Sequence, residues 1–307
     1  SHSMLELEPP RHSRLRGLVL RAFTGRKVAA MAPYITATCH RLIDEFSDKP
    51  FDFLNAFARP LPVHVIASLL GVPTDRCDDL LRWSNAMVAM YQSGRSYEIE
   101  MAANQATIDF TAFLESYITH RRIHPSEDLL SDLIAAEEAG EKLTGAELIS
   151  TCILLLNAGH EATVHTLGNA LKTILPLRYR VVTPELVEEV LRYDPPLHVF
   201  TRHAYKDIDC FGIKIKSGQE VACLLAAANR DPNFVDSPNH FDPFRKPSRH
   251  QSFGAGLHFC VGAPLARLEI TIGLQTLFER RPDLQVSIPP EYAETYHFHG
   301  LKELMVQ

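Results

Sequence analysis

Apolar and polar positions recur at helical spacing through the first half of the chain. Residues 11–30 are rich in helix formers and follow Pro9-Pro10, which ends an extended entry. Residues 32–46 and 60–70 place apolar side chains three and four apart, and Gly71 and Pro73 stop the latter run. Residues 74–91 open on a Thr/Asp cap, and residues 97–122 carry another long helical pattern. Residues 144–171 begin Thr144-Gly-Ala-Glu147, the spacing of a capping box, and then stay apolar for most of their length. A helix apolar nearly all round belongs in the middle of a protein.

The pattern changes after Pro195-Pro196. Residues 200–205, 208–215 and 220–225 alternate or cluster β-branched side chains around Gly212 and Gly218, which predicts short strands joined by turns. Residues 229–252 are irregular and full of Pro, Asp, Asn and Arg; a loop that long is usually functional or pinned by specific contacts. A last helix over residues 264–280 precedes a strand-rich tail. There is no internal repeat and no low-complexity linker, so the expectation is a mainly α fold with a small β-region, a single domain over residues 1–307.

Composition narrows the function classes. Of 307 residues, 46% are hydrophobic and 22% charged, the balance of a globular protein. A net charge of -6 gives no footprint for nucleic acid or an anionic membrane. The 6 cysteines are scattered without a CxxC pair, which argues against a zinc ribbon or thioredoxin-type site and for a reducing compartment. No apolar run reaches the length of a membrane span and no signal-peptide pattern is visible, so a cytoplasmic location is expected.

The chemistry concentrates in Phe253-Gly-Ala-Gly-Leu-His-Phe-Cys-Val-Gly262, followed by Ala263-Pro-Leu-Ala-Arg267. This is a glycine-rich loop that delivers one cysteine to the start of a helix. Its glycines permit positive φ and a close approach by a flat ligand. Backbone N–H groups just beyond Cys260, together with the helix N-terminus, favour a thiolate, which is a strong electron donor to a metal. Pro264 costs little in a first helical turn. An isolated Gly-x-x-x-Cys would more often be a buried cysteine in a turn; here Phe253, Gly254, Gly256, His258, Cys260 and Gly262 fall together within ten residues.

That loop resembles the haem-binding loop of the cytochrome P-450 family, and three further motifs agree. Glu189-Val-Leu-Arg192 puts two opposite charges one helical turn apart, ordinarily a surface pair of little worth. In the family this pair joins an arginine from the irregular loop, here Arg245 of Phe241-Asp-Pro-Phe-Arg245, in a structural triad. Ala158-Gly-His-Glu-Ala-Thr163 resembles the oxygen-binding kink of the central helix, with small Ala158 and Gly159 passing close over a haem face. Standing alone it would read as a helix-packing step with a satisfied acid. Glu8-Pro-Pro-Arg-His-Ser-Arg-Leu-Arg16 resembles the start of the third helix; His12 and Arg16 share one helical face.

The resemblance implies a P-450 fold that lacks its N-terminal helices and most of the larger sheet, with residues 172–183 too short for the helix expected there. It implies haem b with Cys260 as axial ligand, cradled by Phe253, Gly254 and Gly262, its propionates neutralised by His12, Arg16, Arg202 and His258. It implies a monooxygenase that inserts one oxygen atom of O2 into a small, largely apolar organic substrate and reduces the other to water. Cys260 would push electron density toward the iron and favour O–O cleavage. Electrons must come from outside, from a ferredoxin or flavodoxin with its reductase, because the chain carries no flavin or dinucleotide motif; Arg14, Arg21, Arg249 and Arg267 are expected to form a basic docking patch. No membrane and no nucleic-acid partner is expected.

Glu161 is the expected proton relay. The family usually follows this acid with a threonine, whereas here Ala162 follows and the nearest hydroxyl is on Thr163, about 100° further round the helix. Substrate contacts are expected from Leu156, Asn157, Leu197, His198, Val199, Phe200 and the tail turn 296–299 with Phe298, under a lid at residues 87–97. Three other classes compete. A zinc hydrolase would need two histidines four apart, but His160 and His165 are five apart, about 140° round a helix. A haem-binding but catalytically inactive truncated paralogue or sensor would keep Cys260; the intact Glu161 and Ala158-Gly159 speak against it. A helical scaffold without cofactor would leave the glycine-cysteine loop, the triad and the histidine-arginine helix as coincidences.

Overall fold

The computed structural model describes residues 3–92, 94–138, 143–247, 249–295 and 297–307. Residues 11–30, continuous in pattern, form two helices, α1 (Arg11–Leu20) and α2 (Gly25–Ala30). Thr24 separates them: its side chain accepts the Lys27 N–H, which holds its own backbone extended at φ -66°, ψ 149°. α3 (Ala32–Asp44) and β1 (Phe51–Asp52) follow, then a wide turn at Leu54–Ala58 that feeds α4 (Pro60–Leu70). α4 ends on Gly71 at φ +83°, where a Cβ would also collide with the Asp128 side chain at 2.1 Å. α5 (Cys77–Val88), the long α6 (Tyr97–Ile123) and α7 (Leu129–Glu138) complete the first half.

The apolar stretch from residue 144 is two helices, α8 (Gly145–Ala158) and α9 (Glu161–Ile174). The capping box is present: Thr144 accepts the Glu147 N–H and Glu147 accepts the Thr144 N–H. The break falls at Gly159-His160, where His160 leaves helical geometry at φ -122° and its Nδ1 turns back to the Leu156 carbonyl at 2.9 Å. Residues 172–183 hold the end of α9 and a single 3₁₀ turn, Leu175–Leu177, before α10 (Pro184–Tyr193).

β2 (Val199–His203) pairs antiparallel with β5 (Glu220–Leu224), Val199 facing Leu224 and His203 facing Glu220. β3 (Ile208–Cys210) and β4 (Ile213–Ile215) form a tight hairpin through Phe211 and Gly212, both at positive φ (53° and 79°), as a two-residue hairpin turn demands. β5 gives way to the short α11 (Leu225–Ala228); α12 (Ala263–Arg280) and β6 (Met305–Val306), paired with β1, close the chain. One continuous apolar cluster joins α3, α4, α6, α8, α9 and α12, centred on Phe53, Phe57, Leu61, Phe110, Leu167 and Leu274. Among the described residues no helix is long and apolar enough to cross a membrane.

The irregular segment after α11 is pinned by polar contacts. Arg192 donates to the carbonyls of Asn229 (3.1 Å) and Pro238 (2.9 Å), and Arg245 to those of Asp236 (2.7 Å) and His240 (3.0 Å). The Asn229 side chain donates to Ser252 Oγ at 2.8 Å and accepts the Gln251 N–H at 2.6 Å. Two arginines thereby satisfy carbonyls that a sheet or helix would otherwise serve, which is how a loop this long stays in one shape.

Candidate functional site

Cys260 sits at the end of a loop that closes on itself, its N–H donating to the Phe253 carbonyl at 2.9 Å. Gly254 (φ +68°) and Gly256 (φ +72°) take the left-handed turns that this closure requires. Burial pushes the Cys260 thiol up; the backbone N–H groups of Gly262 and Ala263 aim at the sulfur and pull the other way, as do the charges of Arg16 and Arg267. Those N–H groups belong to the start of α12, so the helix begins where the sulfur needs donors.

Two motifs far apart in sequence meet beside this loop. Arg16 donates to the Phe259 carbonyl at 2.6 Å, fastening α1 to the cysteine loop. The His12 ring lies 4.2 Å from that of His258, centroid to centroid, and His258 Nε2 is 3.2 Å from Glu8 Oε1. His12 is buried, yet neither ring nitrogen has a hydrogen-bond partner among the described residues. Arg202, on β2, is exposed and donates to the Thr201 carbonyl while lying over the Phe200 ring; no contact joins it to His12, Arg16 or His258 among the described residues.

Glu189 is buried on α10 and takes Arg192 with both oxygens, at 2.7 and 2.8 Å, and Arg245 at 3.1 Å. It also accepts the Asp242 N–H at 2.9 Å, so the carboxylate ties the irregular loop to α10. Its neighbour Glu188 faces the other way, toward Arg267 of α12 (2.5 Å) and His250 (3.1 Å). Burial raises the Glu188 pKa, but hydrogen bonds from Arg267 and His250 overcome this and hold it near about 2.

On α8 and α9, Gly159 also packs against α4: a Cβ there would lie 2.6 Å from Ile66 Cγ1, so the glycine lets the two helices approach closely. The break also overturns the helical-wheel separation of the two histidines. His165 Nε2 lies 3.2 Å from Glu161 Oε1 and His160 Nε2 lies 3.4 Å from Oε2, so both flank one carboxylate. Burial raises the Glu161 pKa, yet the hydrogen bonds and charges of the two imidazoles prevail and keep it ionised well below the usual range. The Ala162 carbonyl accepts the Thr166 hydroxyl at 2.7 Å, and Thr163 is buried.

The family model for cytochrome P450 matches residues 179–294, from before α10 through the cysteine loop and α12. The biotin biosynthesis cytochrome P450 of Bacillus subtilis (strain 168) is 38% identical over 313 residues, covering 99% of this chain and 79% of its own. The chain belongs to the cytochrome P450 family. Cytochrome P450 107B1 of Saccharopolyspora erythraea is 38% identical, covering 99% of this chain and 76% of its own. The crystal structure of P450BioI, in complex with an acyl carrier protein ligated to hexadec-9Z-enoic acid, superposes with a TM-score of 0.92 at 37% identity, covering 100% of this chain and 81% of that one. The chain is therefore a P450-type enzyme with the P450 fold; the family binds haem b through a cysteine thiolate and carries out haem-dependent monooxygenation with O2, a substrate and electrons from a redox partner.

In this P450 the segment after α5, expected as a lid, meets the C-terminal tail. Tyr91 stacks on His297 at 4.7 Å, and Asn157 Nδ2 contacts Met87 Sδ at 3.7 Å, while Asn157 Oδ1 is buried without a partner among the described residues. Leu197 bridges to Phe298, Leu156 is buried beneath, and Val199 and Phe200 begin β2; Tyr296 of the tail turn and Ser93 of the lid lie outside the described residues. His198 does not join this group. Side chains alternate along extended chain, and His198 points into a separate cleft with Asp194 and His299. The basic patch is also smaller than expected, since Arg14 is bidentate to buried Glu147 (2.7 and 3.1 Å) and Arg267 is committed to Glu188. Neither pairing has a sequence signal, because each partner lies on another element.

Proposed function

We propose that this chain oxygenates a small, largely apolar organic substrate at a haem held by Cys260. The observation that carries the reading is the convergence of Cys260, the N–H groups aimed at its sulfur, and buried His12 with two unpartnered nitrogens. The residues fit the group: His12, Arg16 and His258 gather beside the cysteine loop and would offer a haem's propionate carboxylates cations and N–H donors, and exposed Arg202, which makes no contact with these three among the described residues, would have to swing toward them to join. Phe253, Gly254 and Gly262 would line a haem at this loop, and the Glu189–Arg192–Arg245 cluster ties α10 to the irregular segment that leads into the loop.

Bound haem supplies dioxygen activation, with one oxygen atom inserted into substrate and the other released as water. Cys260 holds the site as a thiolate donor. Ala158, Gly159, Ala162 and Thr163 shape the helix break, and Glu161 would move a proton from solvent at its carboxylate, oriented by His160 and His165. Leu156, Asn157, Leu197, Val199, Phe200 and Phe298 line the substrate side. Electrons come from a ferredoxin or flavodoxin with its reductase, in the cytoplasm.

The ferrous–carbonyl complex of the purified holoprotein should show the strongly red-shifted Soret band of thiolate ligation, and Cys260→Ser should abolish it. An unshifted, histidine-type band in folded wild-type protein would overturn the assignment.

A further inference from the structure

Asp194, His198 and His299 form a cluster that the P450 reading does not use. They come from three segments: the end of α10, the turn before β2, and the C-terminal tail. One carboxylate oxygen and one ring nitrogen from each histidine all lie within 4.8 Å of one another, with His299 Nε2 3.1 Å from Asp194 Oδ1. The cluster lines a cleft of about 460 Å³ together with Lys172, Arg230 and Tyr292.

We propose that Asp194, His198 and His299 bind a zinc-class divalent cation in this cleft, with its fourth position open to the cleft. Ligand bonds of about 2.0–2.2 Å place atoms on one tetrahedral ion roughly 3–4 Å apart, so the observed cluster needs only small side-chain rotations to close. Two imidazoles and a carboxylate suit zinc or its imidazole-seeking neighbours; calcium and magnesium want oxygen alone.

The scaffold around the cluster is built. Asp194 Oδ2 accepts from Lys172 Nζ at 3.0 Å and from the Tyr292 hydroxyl, which orients the carboxylate and leaves Oδ1 toward His299. Asn169 Nδ2 donates to the backbone carbonyls of both Asp194 (3.2 Å) and His299 (3.0 Å), and the His299 N–H donates to the Pro196 carbonyl at 2.7 Å. The His198 carbonyl accepts the Leu225 N–H at 2.8 Å. The His198 and His299 rings are stacked, 4.0 Å between centroids with 27° between their planes. All three ligand-bearing positions are thus tied down by groups other than the ligands themselves.

Charge sets what else enters. A divalent ion on one carboxylate and two neutral imidazoles keeps a positive charge, and Lys172 and Arg230 line the same cleft. An anionic fourth ligand, such as hydroxide or a carboxylate, is therefore favoured over water alone. Metal at this position would clip the tail turn carrying Phe298 to the start of β2.

The test uses haem-loaded full chain, stripped with chelator and dialysed against buffered Zn²⁺. Wild type should take up one zinc per chain, with nitrogen and oxygen neighbours at the zinc absorption edge. His198→Gln and His299→Gln should each weaken that site by tenfold or more, while their ferrous–carbonyl bands report intact protein. His299→Cys, which restores a ligand, should recover binding. Absence of stoichiometric zinc, a sulfur neighbour in wild type, or undiminished binding in both glutamine variants would overturn the site without touching the haem assignment.

Discussion

The imidazoles of His12 and His258 lie 4.2 Å apart, although one begins α1 and the other sits in the cysteine loop. His12 is 1% exposed with both nitrogens unpartnered. Burial lowers its pKa first, and the nearby His258 and Arg16 charges lower it further, so the ring is kept neutral in the protein alone. An unpaired buried polar group costs about 1–3 kcal/mol. Replacing His12 with Phe should therefore leave the haem-free protein as stable or more stable in denaturant melts, yet speed haem loss to an acceptor apoprotein. Equal destabilisation of both forms would mean that His12 serves packing alone.

Proton delivery at the helix break should depend on the substrate. Glu161 is followed by Ala162, and the buried Thr163 hydroxyl is displaced about 100° round α9. An ordered water or a substrate hydroxyl then has to bridge to Glu161. Ala162→Thr is expected to lower peroxide yield per electron for substrates without a well-placed hydroxyl and to change it little for hydroxylated ones. An equal change across a substrate series points to a fixed water.

The Glu188 pair should govern part of the acid stability. Its pKa is held down to about 2 from a usual 4.5, so it contributes stability that is complete above about pH 4.5 and lost as pH falls toward 2. Unfolding free energy of wild type should drop through that window more steeply than that of Glu188→Gln, and the two should run parallel above it. Parallel curves throughout would show that Glu188 titrates alike in folded and unfolded chains.

Neutralising Glu189 should be far more damaging than neutralising a surface acid. The substitution Glu189→Gln leaves the buried guanidinium of Arg192 and that of Arg245 without their counter-charge, at a cost of about 3–5 kcal/mol. Glu291→Gln, which breaks an exposed pair with Lys302, should cost less than about 1 kcal/mol in the same denaturation series.

The sequence by itself determined what short-range rules decide. Gly254 and Gly256 announce the positive-φ turns that present Cys260, the three-residue step from Glu189 to Arg192 puts both on one face of α10, and Thr144 with Glu147 writes a capping box. Most helices could be read to within a few residues for the same reason: their signals lie in neighbouring side chains. Only the tertiary structure decided which distant groups meet. Residues 144–171 read as one apolar run with a kink at Ala158–Thr163, where the structure breaks the helix, but nothing near Gly159 in sequence shows that Ile66 of α4 stands against it. Arg14 and Arg267 read as exposed charge because Glu147 and Glu188 lie on other elements. His198 read as a pocket residue, and its place beside Asp194 and His299 depends on the tail folding back over α9. Spacing along a chain encodes the face a side chain occupies; what stands opposite that face is set by packing, and packing is long-range.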